Sequence, residues 1–219
     1  MIAEQTNALV KVYLEDDIAR LYQDHFRLIT GQDLKSNLIE NKSSVISAKE
    51  IEKCIQLLHK DYHNLGIRIF VFKNKIQALL NFLNPLGAPF CLKTIRRIFR
   101  KQLVGLNGFG VIHIYPFNYP KDLTCYRQTI KLFILETLYH ELRHAYQDEF
   151  MTCVKDSNYI DGDQPGYFAQ KSERDARHFA TRMMNKFHDD INDILGIKFK
   201  WESCWGRLEI NKIKIKRLF

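Results

Sequence analysis

The chain of 219 residues is long enough for one well-packed domain with extensions, but too short for two domains of full size. Its composition, 46% apolar and 26% charged, is typical of a soluble globular protein, and no apolar run approaches the roughly 20 residues of a membrane-spanning helix, so we expect no membrane partner. The net charge of +8, from 33 basic and 25 acidic residues, makes a polyanionic partner a hypothesis to weigh.

The N-terminal region is predicted to be helical. In residues 7–29 apolar side chains recur at intervals of three and four, which predicts an amphipathic helix, and the polar residues 31–44 are predicted to form a loop. Ser47 and Glu50 have the spacing of a capping box and predict a second helix that runs to about Tyr62. We expect residues 1–65 to form an N-terminal helical extension.

The middle of the chain alternates predicted strands and helices. The runs "IRIFVFK" (67–73) and "VIHIYP" (111–116) are rich in β-branched and aromatic residues and predict strands. Between them, "KIQALLNFL" (75–83) and "KTIRRIFRK" (93–101) have helical spacing, and the glycine-rich "GLNGFG" (105–110) predicts a break in regular structure.

The C-terminal half is predicted to contain two helices and a strand segment. One long helix is predicted over residues 126–150, followed by a turn-rich loop. A further helix is predicted from about Ser172, where Ser172 and Asp175 again have capping-box spacing, to about Leu195. Residues 197–219 alternate apolar with charged side chains and predict one or two half-exposed strands.

Two features favour a cytoplasmic location. The first residues, "MIAEQTNALVKVYLEDD", lack the basic start, apolar block and small-residue cleavage site of a secretory signal, so we expect no export. The five cysteines are odd in number and widely scattered, which predicts neither a disulfide framework nor a thiolate zinc site. A reducing compartment fits both observations.

The stretch "LETLYHELRHAYQ" contains His140, Glu141 and His144 in the spacing His-Glu-x-x-His. Two histidines four residues apart lie about 40° apart around a helix, so both imidazoles can reach one metal ion. A catalytic zinc ion takes three protein ligands and leaves a fourth position to water. Glu141 is turned by about 100°, beside that water, where it can accept a proton. The motif therefore predicts two zinc ligands and a general base.

The predicted helix around this motif has two distinct faces. Its apolar positions fall on an arc opposite the two histidines and predict a side buried in the core: Ile134, Leu138, Leu142 and Ala145. The polar positions are predicted to line a cleft: Glu136, Thr137, His140 and His144.

A third ligand is offered by "SERDARHFA" (172–180), which places Glu173 in the first turn of the following helix. Together, "HELRH" and "ERDARHFA" resemble the gluzincin-type zinc peptidases of the ImmA/IrrE kind. The second motif of that family is Glu-x-x-Ala-x-x-Phe-Ala, which Glu173, Ala176, Phe179 and Ala180 match position by position.

The resemblance implies an α+β fold, with a zincin-like core in which a small sheet packs on the His-Glu-x-x-His helix. We assign this metallopeptidase core to residues 66–196 and a basic C-terminal strand segment to residues 197–219. The chain departs from the family at Arg177, where asparagine is frequent, and in residues 86–105, which look like an insertion.

Three residues near the motif are weaker candidates for the site. His178 and Tyr167 are candidates to stabilise an oxyanion, and Glu136 is a candidate to orient a ligand imidazole. Each also has a simpler interpretation: a packing or surface role for His178, a turn residue for Tyr167, and solvation on the cleft face for Glu136. His113 is interpreted as a strand residue.

The predicted function is that of a zinc metalloendopeptidase acting on a protein or peptide substrate. His140, His144 and Glu173 would hold Zn²⁺, and Glu141 would act as general base and then as proton donor to the leaving amine. The substrate would lie extended along residues 111–116 as an added strand. The resemblance implies a regulator or repressor in a phage, mobile-element or stress circuit as that substrate.

Two alternatives stay open at this point. The basic clusters "KTIRRIFRK" and "KIKIKR" suit a nucleic-acid-associated SprT-like protease or a DNA-binding protein with a zincin core. SprT-like enzymes, however, take a third histidine as ligand, and such clusters also serve simply as solvated faces. The other alternative is a degenerate zincin that acts as a binding module, against which the intact Glu141 argues. The sequence indicates no oligomeric state.

Overall fold

The computed structural model describes residues 37–81, 92–108, 110–120, 126–151, 160, 164–205, 207–210 and 213–216. The strands are β1 Leu38–Asn41, β2 Arg68–Val71, β3 Gly105–Gly108, β4 Val111–Ile114, β5 Trp201–Cys204, β6 Arg207–Ile210 and β7 Ile213–Lys216. The helices are α1 Ala48–Gln56, α2 Lys60–His63, α3 Lys75–Asn81, α4 Leu92–Phe99, α5 Tyr126–Phe150, α6 Lys171–Lys186 and α7 His188–Leu195. Short 3₁₀ helices span Pro116–Asn118 and Tyr167–Ala169.

The fold is mixed α+β, as predicted, and its strands form two sheets. The larger sheet has the order β1-β2-β4-β3, in which β1, β2 and β4 are parallel and β3 is antiparallel to β4. The smaller sheet is antiparallel, in the order β5-β6-β7. Parallel neighbours need crossover connections, and α1 and α2 lie in the connection between β1 and β2.

Two strands of the larger sheet, β1 and β3, lie where no strand was predicted. β1 lies within residues 31–44, which were predicted to be a loop, and β3 lies within "GLNGFG", which was predicted to be a break. Both strands have four residues, and their sequences, "LIEN" and "GLNG", are poor in β-branched and aromatic residues. Pairing with β2 and β4 stabilises them, and this contribution is not local in sequence.

The predicted role of β4 is also wrong in one respect. The strand itself was expected and is confirmed, but it is not an edge strand. β4 pairs with β2 on one side and with β3 on the other, so its backbone groups are engaged on both sides. A substrate cannot add to β4 as a further strand, and among the described residues β3 is the edge strand of the sheet on this side.

The long helix α5 has the predicted bounds and is buried along much of its length. It packs against β3 and β4 on one side and against α6 on another. The predicted apolar face is confirmed as buried: Ile134, Leu138, Leu142 and Ala145. Much of the predicted polar face is buried too, including Glu136 and Thr137. Among the described residues, no helix combines the length and apolar character needed to span a bilayer.

Residues 37–65 belong to the predicted N-terminal extension. Their buried apolar side chains lie in the same hydrophobic core cluster as those of α5. The predicted capping box is confirmed, because Glu50 N donates to Ser47 Oγ at 3.2 Å and Ser47 N donates to a Glu50 carboxylate oxygen at 2.7 Å. The helix ends earlier than predicted, at Gln56, and α2 follows. The predicted helix over 7–29 lies outside the described residues, and the domain boundaries at 65 and 196 stay predictions.

The C-terminal part differs from the prediction in two details. The predicted helix over 172–195 is interrupted at Phe187, which separates α6 from α7. The cap of α6 is Gln170, so Ser172 and Asp175 do not form the predicted capping box. The predicted strands at the end of the chain are confirmed, but they number three.

A glycine allows β3 to pass directly against α5. A Cβ atom on Gly105 would lie 2.4 Å from Thr137 Cγ2 and 2.7 Å from Glu141 Oε1, whereas a Cβ atom on Gly108 would meet nothing within 4 Å. Contacts that short require Thr137 and Glu141, or the backbone of β3, to shift. The close approach of these two elements therefore depends on Gly105.

We expect Gly105→Ala to lower the free energy of unfolding by about 1 to 3 kcal/mol, because a methyl group is forced into a packed interface. The matched variant Gly108→Ala, in the same strand, should stay within about 0.5 kcal/mol of wild type. Urea unfolding followed by circular dichroism measures both values. Equal stability of the two variants would contradict the close approach of β3 and α5.

Candidate metal centre

Three side chains that the sequence predicts as ligands converge in the structure. His140 and His144 project from successive turns of α5, and Glu173 projects from the first turn of α6. The two Nε2 atoms are 3.1 Å apart, and the Glu173 carboxylate oxygens lie 3.1 Å from His144 Nε2 and 3.5 Å from His140 Nε2. All three ligand atoms lie within 4.8 Å of one another. This group could hold a metal ion.

The start of α6 is attached to α5 by polar contacts that place Glu173. Arg143 on α5 forms a two-pronged ion pair with Asp175, with Nε and a terminal guanidinium nitrogen at 2.6 and 3.2 Å from its carboxylate oxygens. Gln147 Nε2 donates to the backbone oxygen of Ser172 at 3.0 Å. These contacts flank Glu173 in sequence, so they fix the turn from which its carboxylate reaches the histidines.

Both the burial and the charge of the group suit a cation. Glu173 is 1% exposed and His140 is 5% exposed, and a buried carboxylate is stable only with compensating charge or hydrogen bonds. Glu173 Oε2 is buried, and His140 Nε2 lies 3.5 Å from it. Two imidazole nitrogens and a carboxylate oxygen are a donor set that zinc and several other divalent metals accept. The residues therefore fit a metal, whose identity the geometry leaves open.

In the absence of a metal, a proton takes its place between the same groups. Burial lowers the pKa of His144, but the hydrogen bond and charge of Glu173 outweigh burial and raise this pKa to about 9. Burial raises the pKa of Glu173, but hydrogen bonds from His140 and His144 hold it well below its usual range. The metal-free centre is thus an ion pair between a protonated imidazole and a carboxylate.

A further residue, Gln147, orients one of the ligands and was missed by the sequence analysis. Its Oε1 atom lies 2.9 Å from His144 Nδ1, and its Nε2 atom donates to Asp175 at 2.8 Å. Because the amide oxygen can only accept, His144 Nδ1 carries the hydrogen in its neutral form and Nε2 faces the metal position with a lone pair. The only local signal was that Gln147 lies one helical turn after His144.

Two of the three metal ligands, His140 and Glu173, line a small cavity of about 40 Å³, which has room for about three water-sized groups. Glu141 lines this cavity beside His140 and Glu173, and it is only 7% exposed. The remaining lining comes from α4, the segment that leads into β3, β3 itself, the 3₁₀ helix before α6, and α6: Arg97, Gln102, Leu103, Gly105, Tyr167 and Arg177. Glu141 therefore faces the same small space as the ligand group.

The three weaker candidates have different positions. Tyr167 lines the cavity. His178 is on the exposed side of α6, where its ring packs against Trp205 at a centroid distance of 4.0 Å. Glu136 is fully buried and accepts a hydrogen bond from Ser203 Oγ at 2.7 Å, so the interpretation of this carboxylate as a solvated cleft residue is wrong.

His113 is a buried strand residue, as predicted. Its imidazole lies within hydrogen-bonding distance of Asn81 and of the Tyr115 hydroxyl, at 3.1 and 3.2 Å. Burial lowers the pKa of His113 to about 3, so the ring is neutral at physiological pH. In the described part of the chain, this imidazole links Asn81 and Tyr115 within the aromatic core around β2 and β4.

Comparisons of the chain with models of known protein families, with curated proteins and with solved structures gave no match in any of the three. The resemblance to gluzincin peptidases accordingly rests on the two short motifs alone. The metal centre rests on its own geometry.

We expect Gln147→Ala to weaken metal binding by about 10- to 100-fold, because His144 loses the partner that fixes its orientation. Gln128→Ala is the matched control, since Gln128 also lies on α5 but donates to the backbone oxygen of Gly196. Competition with a chelating dye measures both affinities. Equal affinities in the two variants would show that Gln147 does not orient the ligand.

Metal affinity should rise with pH, because the ion must displace the proton of His144. At pH 7 that imidazole is protonated, so the apparent affinity should increase about tenfold per pH unit and level off near pH 9. In Glu173→Gln the partner that raises this pKa is neutral, so the levelling should occur at lower pH. Chelator competition across pH 6 to 10 tests this, and a flat profile in wild type would contradict it.

Proposed function

We propose that the protein is a zinc metalloendopeptidase that hydrolyses peptide bonds of a protein substrate. The observation that carries this proposal is the convergence of His140, His144 and Glu173 next to a small cavity that Glu141 also lines. Zinc is the proposed metal because a two-histidine, one-carboxylate set that borders a cavity is a common form of catalytic zinc site.

In this proposal His140, His144 and Glu173 hold the zinc ion. When bound, zinc would polarise the scissile carbonyl and make a water molecule acidic enough to attack at neutral pH. The Glu141 carboxylate accepts a proton from the attacking water and then donates it to the nitrogen of the leaving amine. The burial of Glu141 supports this role, because a carboxylate shielded from bulk water exchanges its proton with the reacting groups.

The edge strand β3 supports an extended mode of substrate binding. Within the described sheet, no strand pairs with the outer side of β3. Peptides commonly add to such an edge as a further strand. At Gly105 this edge comes within contact distance of Glu141. A peptide paired with β3 would therefore pass beside the proposed general base.

The proposal extends to the class of peptidase and its setting. The motifs support a gluzincin of the ImmA/IrrE kind with a zincin-like core, and such a resemblance favours a regulator or repressor in a phage, mobile-element or stress circuit as substrate. A reducing cytoplasm remains the proposed location. The intact general base and the buried ligands favour an enzyme over a degenerate binding module.

The proposal predicts that one substitution weakens zinc binding and that another abolishes catalysis while zinc stays bound. Wild type should bind about one zinc ion per chain, and Glu173→Ala should bind much less. Glu141→Gln should keep its zinc and lose peptide hydrolysis by a factor of about 10² to 10⁴, because only the proton transfer is removed. Metal analysis by mass spectrometry and hydrolysis of an unfolded protein substrate give the two readouts.

Glu202→Gln is the matched control, because Glu202 is an exposed carboxylate on β5. This variant should equal wild type in both zinc content and activity. Wild type that binds no zinc under metal-replete conditions, or hydrolysis that Glu141→Gln leaves intact, would overturn the proposed function.

A further inference from the structure

Two arginines share the small cavity with Glu141 and the ligand group. Arg97 comes from α4 and Arg177 comes from α6, two helices that are far apart in the sequence. Neither takes part in the mechanism proposed above. Two cationic side chains beside a metal position favour anionic groups between them and the ion.

The two arginines are positioned by their surroundings rather than extended into solvent. The Arg177 guanidinium lies 3.9 Å from the centroid of the Phe168 ring, and the side chain is half-buried. Arg97 is also half-buried, whereas Arg96 and Arg100 on the same helix are exposed. Stacking uses the flat face of a guanidinium and directs its N–H groups sideways, which is the geometry that recognises planar anions.

The carboxylate of Glu173 is already committed to the metal position. The ion pairs of Glu173 are with His140 and His144, so this carboxylate belongs to the metal ligand group. Arg97 and Arg177 line the same cavity, and arginine binds carboxylates through paired charge-assisted hydrogen bonds.

We propose that Arg97 and Arg177 form an anion subsite that binds a carboxylate of the peptide substrate beside the scissile bond. This inference rests on the proposed peptidase function, and it names the substrate class: peptides with an acidic side chain or a C-terminal carboxylate at that position. Arg97 and Arg177 are then specificity-determining residues, and Glu141 retains its role as the base.

The test uses probes that bind the zinc ion, which fixes where the rest of each probe lies in the cavity. A hydroxamate group chelates zinc through its two oxygen atoms, and a one-carbon linker joins it to glutamate amide, to glutamine with a free C-terminal carboxylate, or to glutamine amide. The first probe carries a side-chain carboxylate, the second a terminal carboxylate, and the third is neutral. Isothermal titration of the zinc-loaded full chain gives a Kd for each probe.

At least one carboxylate probe should bind wild type about tenfold or more tightly than the neutral probe, and the tighter one identifies the source of the carboxylate. Arg97→Gln and Arg177→Gln should each reduce this preference, and the double variant should abolish it, while the Kd of the neutral probe stays unchanged. The matched controls Arg96→Gln and Arg100→Gln should keep the full preference.

The lysine variants Arg97→Lys and Arg177→Lys keep the charge if a glutamine variant fails to fold, and they should show a smaller preference because the paired hydrogen bonds are lost. Equal binding of all three probes to wild type would overturn the subsite, as would a preference that survives in the double variant. A neutral probe that does not bind zinc-loaded protein would instead overturn the proposed function, and the subsite with it.

Discussion

The arrangement of this protein depends on a carboxylate held out of water between two imidazoles. Glu173 lies at the junction of α5 and α6, and the geometry of that junction decides whether His140 and His144 meet it. Burial of an unpaired carboxylate would be strongly unfavourable, so the junction is stable only with a cation or a proton at this point. The ion pair of Arg143 with Asp175 and the hydrogen bonds from the Gln147 amide to Ser172 and Asp175 hold α6 against α5. The contacts that hold α6 against α5 are therefore the same contacts that place the proposed metal ligands.

The larger sheet brings the remaining parts of the site to that junction. β3 is a short edge strand, and its approach to α5 at Gly105 places a backbone edge next to Glu141. The helix before β3 contributes Arg97, and the helix after the metal-binding turns contributes Arg177. The cavity is lined by residues of α4, β3, α5, the 3₁₀ helix Tyr167–Ala169 and α6, so its shape depends on how these elements pack.

The two histidine ligands could be predicted from the sequence because their determinants are local, whereas Glu173 was predicted from the second motif and meets them through the packing of α6 on α5. The spacing of His140 and His144 fixes their common face on a helix, and the period of apolar residues gave the bounds and the buried side of α5. Other features depend on contacts that are distant in sequence. β1 and β3 have weak strand propensity and depend on pairing, and the position of β4 inside the sheet follows only from strand order. Asp175 has the spacing of a cap residue, but its partner is an arginine on another helix.

The proposed function requires that a single zinc ion binds His140, His144 and Glu173. X-ray absorption at the zinc edge of the metal-loaded protein tests this binding, because it reports the ligand atoms themselves. We expect nitrogen and oxygen neighbours at about 2.0 to 2.2 Å, with an imidazole signature and no sulfur. A sulfur neighbour at about 2.3 Å, which would place the ion on cysteine, or a spectrum of hydrated zinc without imidazole, would contradict it.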